Sequence, residues 1–397
     1  MGNMLLQSVA PLGAPPVDLR IKDGRITELG LGLTPQAGEQ TIAGHGCIAL
    51  PGFVDAHAHI DKTLWGMPWQ AHCAGPSVLD RIHNERQLLT ALALSAEQQS
   101  ARLIQHMLAR GSTHVRTHVD IVPEIGLKHF HGVVATRERY EKSMGMQIVA
   151  FPQMGVTSAP GTLALLEEAL RTGADVLGGL DPIGIDRDPK GQLDALFNLA
   201  DRFNVGLDIH LHDGGELGAV TIEMIAERAS ALSMRSNIVI SHGFCLGSVP
   251  PARLETLVTH LRELDIAIMT HGPSGGLPSP PVRHLHEQGI RVFSGSDGVR
   301  DAWGPLNTGD MLERAYLVAY INGFRDDAGL ELALTMATSA GAEVMGLADY
   351  GLTSGCKADV VLVEAQTLAE CVVAHPARKL VIKAGEVVAR DGQCLLA

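Results

Sequence analysis

Aromatic side chains supply only 4% of the 397 residues, and no run of about 18 apolar residues occurs anywhere in the chain. The missing apolar run argues against a membrane-spanning helix. Met1 to Ser8 carry neither a basic cluster nor a long apolar stretch, so no secretory leader is expected. Six cysteines are scattered through the chain (Cys47, Cys73, Cys245, Cys356, Cys371 and Cys394) without a Cys-x-x-Cys pair. That excludes cysteine-based zinc ribbons, redox dithiols and the deaminase fold that binds zinc through Pro-Cys-x-x-Cys. Unpaired thiols suit a cytoplasmic, reducing setting. Positive charge is scarce: 31 Lys and Arg stand against 44 Asp and Glu, for a formal charge of −13. Nucleic acid and anionic membrane are therefore disfavoured as partners, and a small neutral or cationic ligand is favoured.

What is abundant is hydrophobic content, 46%, together with 44 glycines. The length predicts one large α/β domain and a small accessory one. At the amino end Val17 to Lys22 alternate, Asp23-Gly24 reads as a tight turn, and Arg25 to Leu29 return. The carboxyl end repeats this grammar in Ala358 to Val363, Lys379 to Lys383 with an Ala384-Gly385 turn, and Glu386 to Arg390. A lone hairpin is marginal in water, so the two ends, 1–50 and 353–397, are expected to combine into one small β-sandwich domain.

Residues 51–352 alternate strand-like and helix-like segments. The strands are expected at Phe53 to His59, His114 to Asp120, Gln147 to Gln153, Val176 to Asp181, Gly206 to His212, Ile238 to His242, Ile266 to Thr270 and Val292 to Asp297. Helical patterns such as Leu163 to Thr172 and Ala219 to Leu232 separate them. Eight such units fit a (β/α)8 TIM-like barrel. A doubly wound sheet would carry a Gly-rich phosphate loop after its first strand, where this chain has histidines instead.

The first predicted strand leads through Pro51-Gly52-Phe53-Val54-Asp55-Ala56 into His57-Ala58-His59. Residues two apart on a strand point the same way, so both imidazoles reach one side as a two-toothed metal clamp. Active sites of parallel barrels lie at the carboxyl ends of the strands, and those ends carry polar residues here. Strand five ends in Asp208-Ile209-His210-Leu211-His212-Asp213, strand six in Ser241-His242, and strand eight in Ser294-Gly295-Ser296-Asp297. Nitrogen and carboxylate ligands from separate strands suit one divalent ion, zinc or iron(II), with manganese as a further option. His57, His59, His210 and Asp297 are the expected ligands, with a water completing the set.

A strand-end histidine is as readily a hydrogen-bonded core residue, so His118 is expected behind the ligands and His271 receives no assignment. Asp297 could instead cap the helix that follows, but its register with the clamp favours the ligand role. An ion of this kind lowers the pKa of a bound water, and a neighbouring group must take and redeliver the proton. Asp297 is the expected acceptor, and His242 polarises the attacked centre or passes the proton to a leaving amine. Strand four ends in Gly178-Gly179-Leu180-Asp181, without the lysine a carbamate-bridged metal pair needs, so one metal per chain is expected.

These motifs, with Val115 to Asp120, Ile148 to Gln153 and Ser296-Asp297 through Asp301-Ala302-Trp303, resemble the amidohydrolase superfamily and its cytosine deaminase-like branch over nearly the whole chain. The resemblance implies a catalytic zinc or iron on His57, His59, His210 and Asp297. It further implies that His242 contacts the attacked centre and that Gln153 reads the edge of a heterocycle. Cytosine deaminases carry His-Cys-Asp-Glu where this chain has His210-Leu211-His212-Asp213. An Asp is one methylene shorter than the Glu that moves protons there, which weakens a cytosine assignment. His210 to Asp213, His57 to Lys62 and Ser296 to Trp303 are more similar to the isopropylamino-hydrolases that act on N-isopropylammelide, whose lysine near the site Lys62 would match.

The expected function is metal-dependent hydrolysis of a C–N bond on an amino- or N-alkylamino-pyrimidine or triazine, releasing ammonia or an amine. Lys62 and Asp213 join Asp297 and His242 as catalytic candidates. Trp303, His212 and Asp181 join Gln153 as candidates for binding the substrate. A cytosine deaminase proper, a ring-opening cyclic amidohydrolase and a non-catalytic heterocycle-binding barrel are the alternatives. The expected partner is a small nitrogen heterocycle, and a homo-oligomer is compatible with this reading.

Overall fold

The computed structural model of the protein describes residues 2–273 and 276–396. Five strands open the chain: β1 (Met4–Pro11), β2 (Val17–Lys22), β3 (Arg25–Gly30), β4 (Gln40–Ala43) and β5 (Ile48–Pro51). The barrel strands follow as β6 (Phe53–His59), β7 (Ser112–Asp120), β8 (Gly145–Phe151), β9 (Val176–Leu180), β10 (Gly206–Leu211), β11 (Ile238–His242), β12 (Ala267–Thr270), β13 (Val292–Ser294) and β14 (Asp297–Gly298). Helices lie between the barrel strands, among them α1 (Val78–Leu92), α2 (Ala96–Ala109) and α3 (Lys128–Arg139).

Neighbouring barrel strands pair in parallel from β6 through β13, and β14 pairs in parallel with β6. Only Gly295 and Ser296 separate β13 from β14, so one interrupted strand joins both ends of the sheet and closes the barrel. Gly295 is required at the seam: a Cβ there would stand 2.5 Å from the carbonyl oxygen of His57. Every residue of β6, β7, β9 and β11 is buried, as expected of parallel strands covered on both faces. The predicted strands and the observed ones agree to within about two residues at each end, except that the eighth is broken before Asp297.

Both chain ends meet in a second sheet. Strands β15 (Val360–Val363), β16 (Arg378–Lys383), β17 (Glu386–Arg390) and β18 (Gln393–Cys394) join β5, β1, β2 and β3 in the order β18-β17-β16-β15-β5-β1-β2-β3, with β4 on β1. The β1 strand changes partners along its length. Its first half pairs with β2 and β4, and Ala10 and Pro11 pair with β5 after a register shift between Leu6 and Val9. The two halves share one apolar core in which Leu6, Val9, Leu19 and Ile21 meet Val360, Leu362, Leu380 and Ile382. The expected two-layer unit is thus one continuous sheet that covers itself. Asp23-Gly24 and Ala384-Gly385 turn with positive φ at both residues, the geometry of a tight two-residue hairpin.

Candidate active site

The carboxyl ends of the barrel strands converge on a buried cluster of histidines. His59 Nε2 lies 3.2 Å from His210 Nε2, and Asp297 Oδ1 lies 3.3 Å from His59 Nε2 and 3.5 Å from His57 Nε2. Four ligands at bonds of about 2.0–2.1 Å around a tetrahedral ion sit about 3.3 Å from one another, so these spacings fit the group. The unsatisfied atoms point the same way. His57 Nε2, buried among these groups, has no hydrogen-bond partner, a state that costs free energy unless a ligand completes it. His57, His59, His118 and His210 each offer one ligand atom within 4.8 Å of the others, as do His57, His210, His242 and Asp297. His118 is fully buried, its ring 4.1 Å from that of His57, with Nε2 3.4 Å from Asp208.

Asp208 and His210 alternate along β10 and so share its inner face, and His212 follows two residues on, just past the strand's end. Behind His57, Ser241 Oγ donates to Asp208 Oδ1 at 2.7 Å and lies 3.0 Å from His57 Nδ1. Burial opposes ionisation of Asp208, but His118, His57 and the Arg116 guanidinium outweigh it and hold the carboxyl far below its ordinary value. Burial likewise opposes ionisation of Asp297, which His57 and His59 overcome. Burial alone is the largest cause of the depressed pKa of His210 and of His242, so both stay neutral.

Beside the ligands stands an Asp–His pair. Asp181 Oδ2 lies 2.7 Å from His212 Nδ1, and Asp181 Oδ1 accepts the His212 backbone N–H at 2.6 Å. Burial lowers the affinity of His212 for a proton, and Asp181 more than restores it, so the imidazole pKa is raised. His212 stacks on His242 with centroids 4.4 Å apart, and His242 Nδ1 is 3.2 Å from His271 Nδ1. Asp181, His242 and Asp297 all have positive φ, at 30°, 72° and 60°. Non-glycine residues rarely adopt that backbone, and three at the ends of three strands are the strain typical of functional sites.

The pocket in front of the cluster is lined by Lys62, Gln153, His212, Asp297 and Trp303, with Phe151 behind. Trp303 Nε1 is buried without a partner. Lys62 Nζ contacts both oxygens of Asp120, at 3.0 and 3.1 Å, and Glu85 Oε2 at 3.2 Å. Burial disfavours the ammonium, but the carboxylates beside it, Asp120 foremost, keep it charged. Asp213 points elsewhere. Its Oδ2 accepts the Gly184 N–H at 3.0 Å, and it is absent from the pocket lining; burial, then Asp181, pushes its carboxyl up to about 6.

The structure thus brings together His57, His59, His210, His242 and Asp297 around one point, with Lys62, Gln153, His212 and Trp303 at the pocket and Asp181 behind His212. Glu85 escaped the sequence reading. Ser77 and Asp80 form a capping box that starts α1, and Ile82 and Glu85 are the helix's buried residues, three positions apart on one face. A glutamate on the apolar face of that helix was the available signal. His271 and the Asp208–Ser241 pair also gain a place that the sequence did not assign.

A family model described as an amidohydrolase family matches residues 40–389. The crystal structure of N-isopropylammelide isopropylaminohydrolase from Burkholderia multivorans ATCC 17616 superposes with a TM-score of 0.96 at 44% identity, covering 100% of both chains. YahJ of Escherichia coli (strain K12) is 32% identical over 93% of this chain and 81% of its own length. N-isopropylammelide isopropyl amidohydrolase of Pseudomonas sp. (strain ADP) is 29% identical over 87% of each chain. No helix among the described residues is long and apolar enough to cross a membrane.

Proposed function

Because the chain belongs to the amidohydrolase family, we propose that it hydrolyses the exocyclic C–N bond of an oxo-bearing, N-alkylamino-substituted triazine or pyrimidine. Water adds its oxygen to the ring carbon, the C–N bond breaks, and the amine leaves with one of the two protons the water brought while the other stays on the oxo-bearing ring. One observation carries this reading: His57, His59, His210 and Asp297 bring ligand atoms together, with His59–His210, His59–Asp297 and His57–Asp297 spacings of 3.2, 3.3 and 3.5 Å, beside a pocket lined by Gln153 and Trp303. The similarity to two enzymes named for N-isopropylammelide supports the substrate class.

His57, His59, His210 and Asp297 would hold one divalent ion, zinc or iron(II). Bound there, the ion supplies Lewis-acid activation of water at neutral pH. The residues of the chain do the rest. Gln153 and the unpartnered Trp303 N–H hold the ring by its polar edge. Asp297 takes the proton released by the attacking water. Neutral His242, backed by His271, hydrogen-bonds the substituent of the attacked carbon. His212, gripped by Asp181 at Nδ1, has Nε2 left to deliver a proton to the departing amine. Lys62 stays charged against Asp120 and fixes the side of the pocket next to Gln153.

The test is a panel of aminopyrimidines, aminotriazines and their N-alkyl derivatives offered to zinc- or iron-loaded protein, with ammonia and amine detected separately. Alkylamine release from N-isopropylammelide is the expected result. Deamination of cytosine at a kcat/KM of about 10⁴ M⁻¹s⁻¹ or above overturns the reading in favour of a cytosine deaminase.

A further inference from the structure

Glu85 has no role in the reading above, yet it touches both Lys62 and Gln153. It is 2% exposed on the inner face of α1. Its Oε1 lies 3.4 Å from Lys62 Nζ and 3.2 Å from Gln153 Nε2. Lysine has only donors to offer, so Oε1 is an acceptor. Burial, reinforced by Asp120 and Asp301, raises the Glu85 pKa well above the carboxylate range despite Lys62. Lys62 Nζ also lies 3.2 Å from Oε2, so Lys62 offers donors to both carboxyl oxygens, and Oε1 accepts from Lys62 and from the Gln153 amide.

The direction of the Gln153 amide follows. Turning it over would set two carbonyl-type oxygens 3.2 Å apart with no proton between them, so the NH2 group faces Glu85. Gln153 Oε1 has no protein partner among the described residues, and Gln153 lines the pocket. We propose that Glu85 is a positioning residue that locks the Gln153 amide, so that the site offers a carbonyl oxygen and selects rings presenting an N–H at that edge. The ligand class is the lactam form of an oxo-substituted triazine or pyrimidine. A ring with a bare aza nitrogen or an N-methyl group there meets an acceptor it cannot satisfy. This inference rests on the proposed function for its substrate, but the orientation of the amide does not.

The experiment uses the zinc-loaded full chain and its Glu85→Gln, Glu85→Met, Gln153→Met and Glu85→Met/Gln153→Met variants. With N-isopropylammelide, Glu85→Gln keeps an acceptor and leaves KM within about threefold, while Glu85→Met raises KM about tenfold with a smaller change in kcat. In the Gln153→Met background, Glu85→Met adds less than about twofold, because its effect passes through the missing amide. A second readout needs no substrate. One Gln153 side-chain amide proton, identified by its loss in Gln153→Met, exchanges slowly with solvent in the wild type and Glu85→Gln and rapidly in Glu85→Met. Glu85→Asp draws the oxygen back by one methylene and substitutes for Glu85→Met should the latter misfold. An equal KM effect of Glu85→Met in both backgrounds, or unchanged amide exchange, overturns the inference. Failure of the wild type to turn over any N-alkyl heterocycle instead overturns the proposed function, and amide exchange then decides the role of Glu85.

Discussion

Asp181 grips His212 twice, through its backbone N–H at 2.6 Å and its Nδ1 at 2.7 Å. A carboxylate can only accept, so the ring carries its proton on Nδ1 when neutral and keeps Nε2 for the pocket. Asp213, next in the chain, accepts the Gly184 N–H instead, and His212 rather than Asp213 lines the pocket.

Asp181→Asn tests this pair. The amide can donate to Nδ1 and favour the wrong ring tautomer, so kcat is expected to fall by about 10²-fold, the size of one general-acid contribution, with metal content unchanged. Steady-state kinetics and elemental analysis decide it. A kcat within threefold of the wild type removes His212 from proton delivery.

Asp213 provides a pH signature of its own. Its carboxyl is raised to about 6 by burial and by Asp181, so the folded state favours the protonated form. The associated stability is full below the ordinary carboxyl value of about 3.9 and is lost as pH rises through about 6. Asp213→Asn should therefore gain in thermal midpoint over the wild type at pH 8 and about half as much at pH 5. An equal difference at both pH values contradicts the assignment.

His57→Ala and His59→Ala each remove one of the four proposed metal ligands. Both variants are expected to lose bound metal and turnover while the far-ultraviolet circular dichroism of the barrel persists. Full metal occupancy by elemental analysis in both would sink the clamp.

Asp297→Asn preserves shape and one oxygen but removes the proposed base, and His242→Asn removes the neutral imidazole proposed to contact the attacked carbon. Each should lower kcat about 10²-fold. His242→Asn should leave metal content intact, which separates its role from that of the ligands. Near-normal turnover in either variant disproves the role of that residue.

Lys62 is 2% exposed between Asp120 and Glu85. Lys62→Met strands Asp120 in the interior and should destabilise the fold by about 3–5 kcal/mol in chemical denaturation. Combining it with Asp120→Asn should recover more than half of that loss, since it removes the carboxylate that Lys62 touches through both oxygens. Additive losses would show that the ion pair is not the source.

The sequence by itself determined the barrel and which strand ends bring polar residues together at its mouth. Period-two alternation places His57 with His59, and Asp208 with His210, on inner strand faces, and strand-end chemistry points to the barrel's mouth. The small unit was legible from its hairpin turns, but its single continuous sheet was not, because the two chain ends join through β5, which pairs with β1 on one side and with β15, more than 300 residues away, on the other. Only the tertiary structure decided that Asp213 turns to Gly184, that Asp181 orders His212, and that Glu85 reaches Gln153 over 68 residues of sequence. Local patterning fixes which face a side chain occupies, since that follows from the backbone repeat. Which partner it meets there depends on how separate elements pack, and no period in the chain encodes that distance.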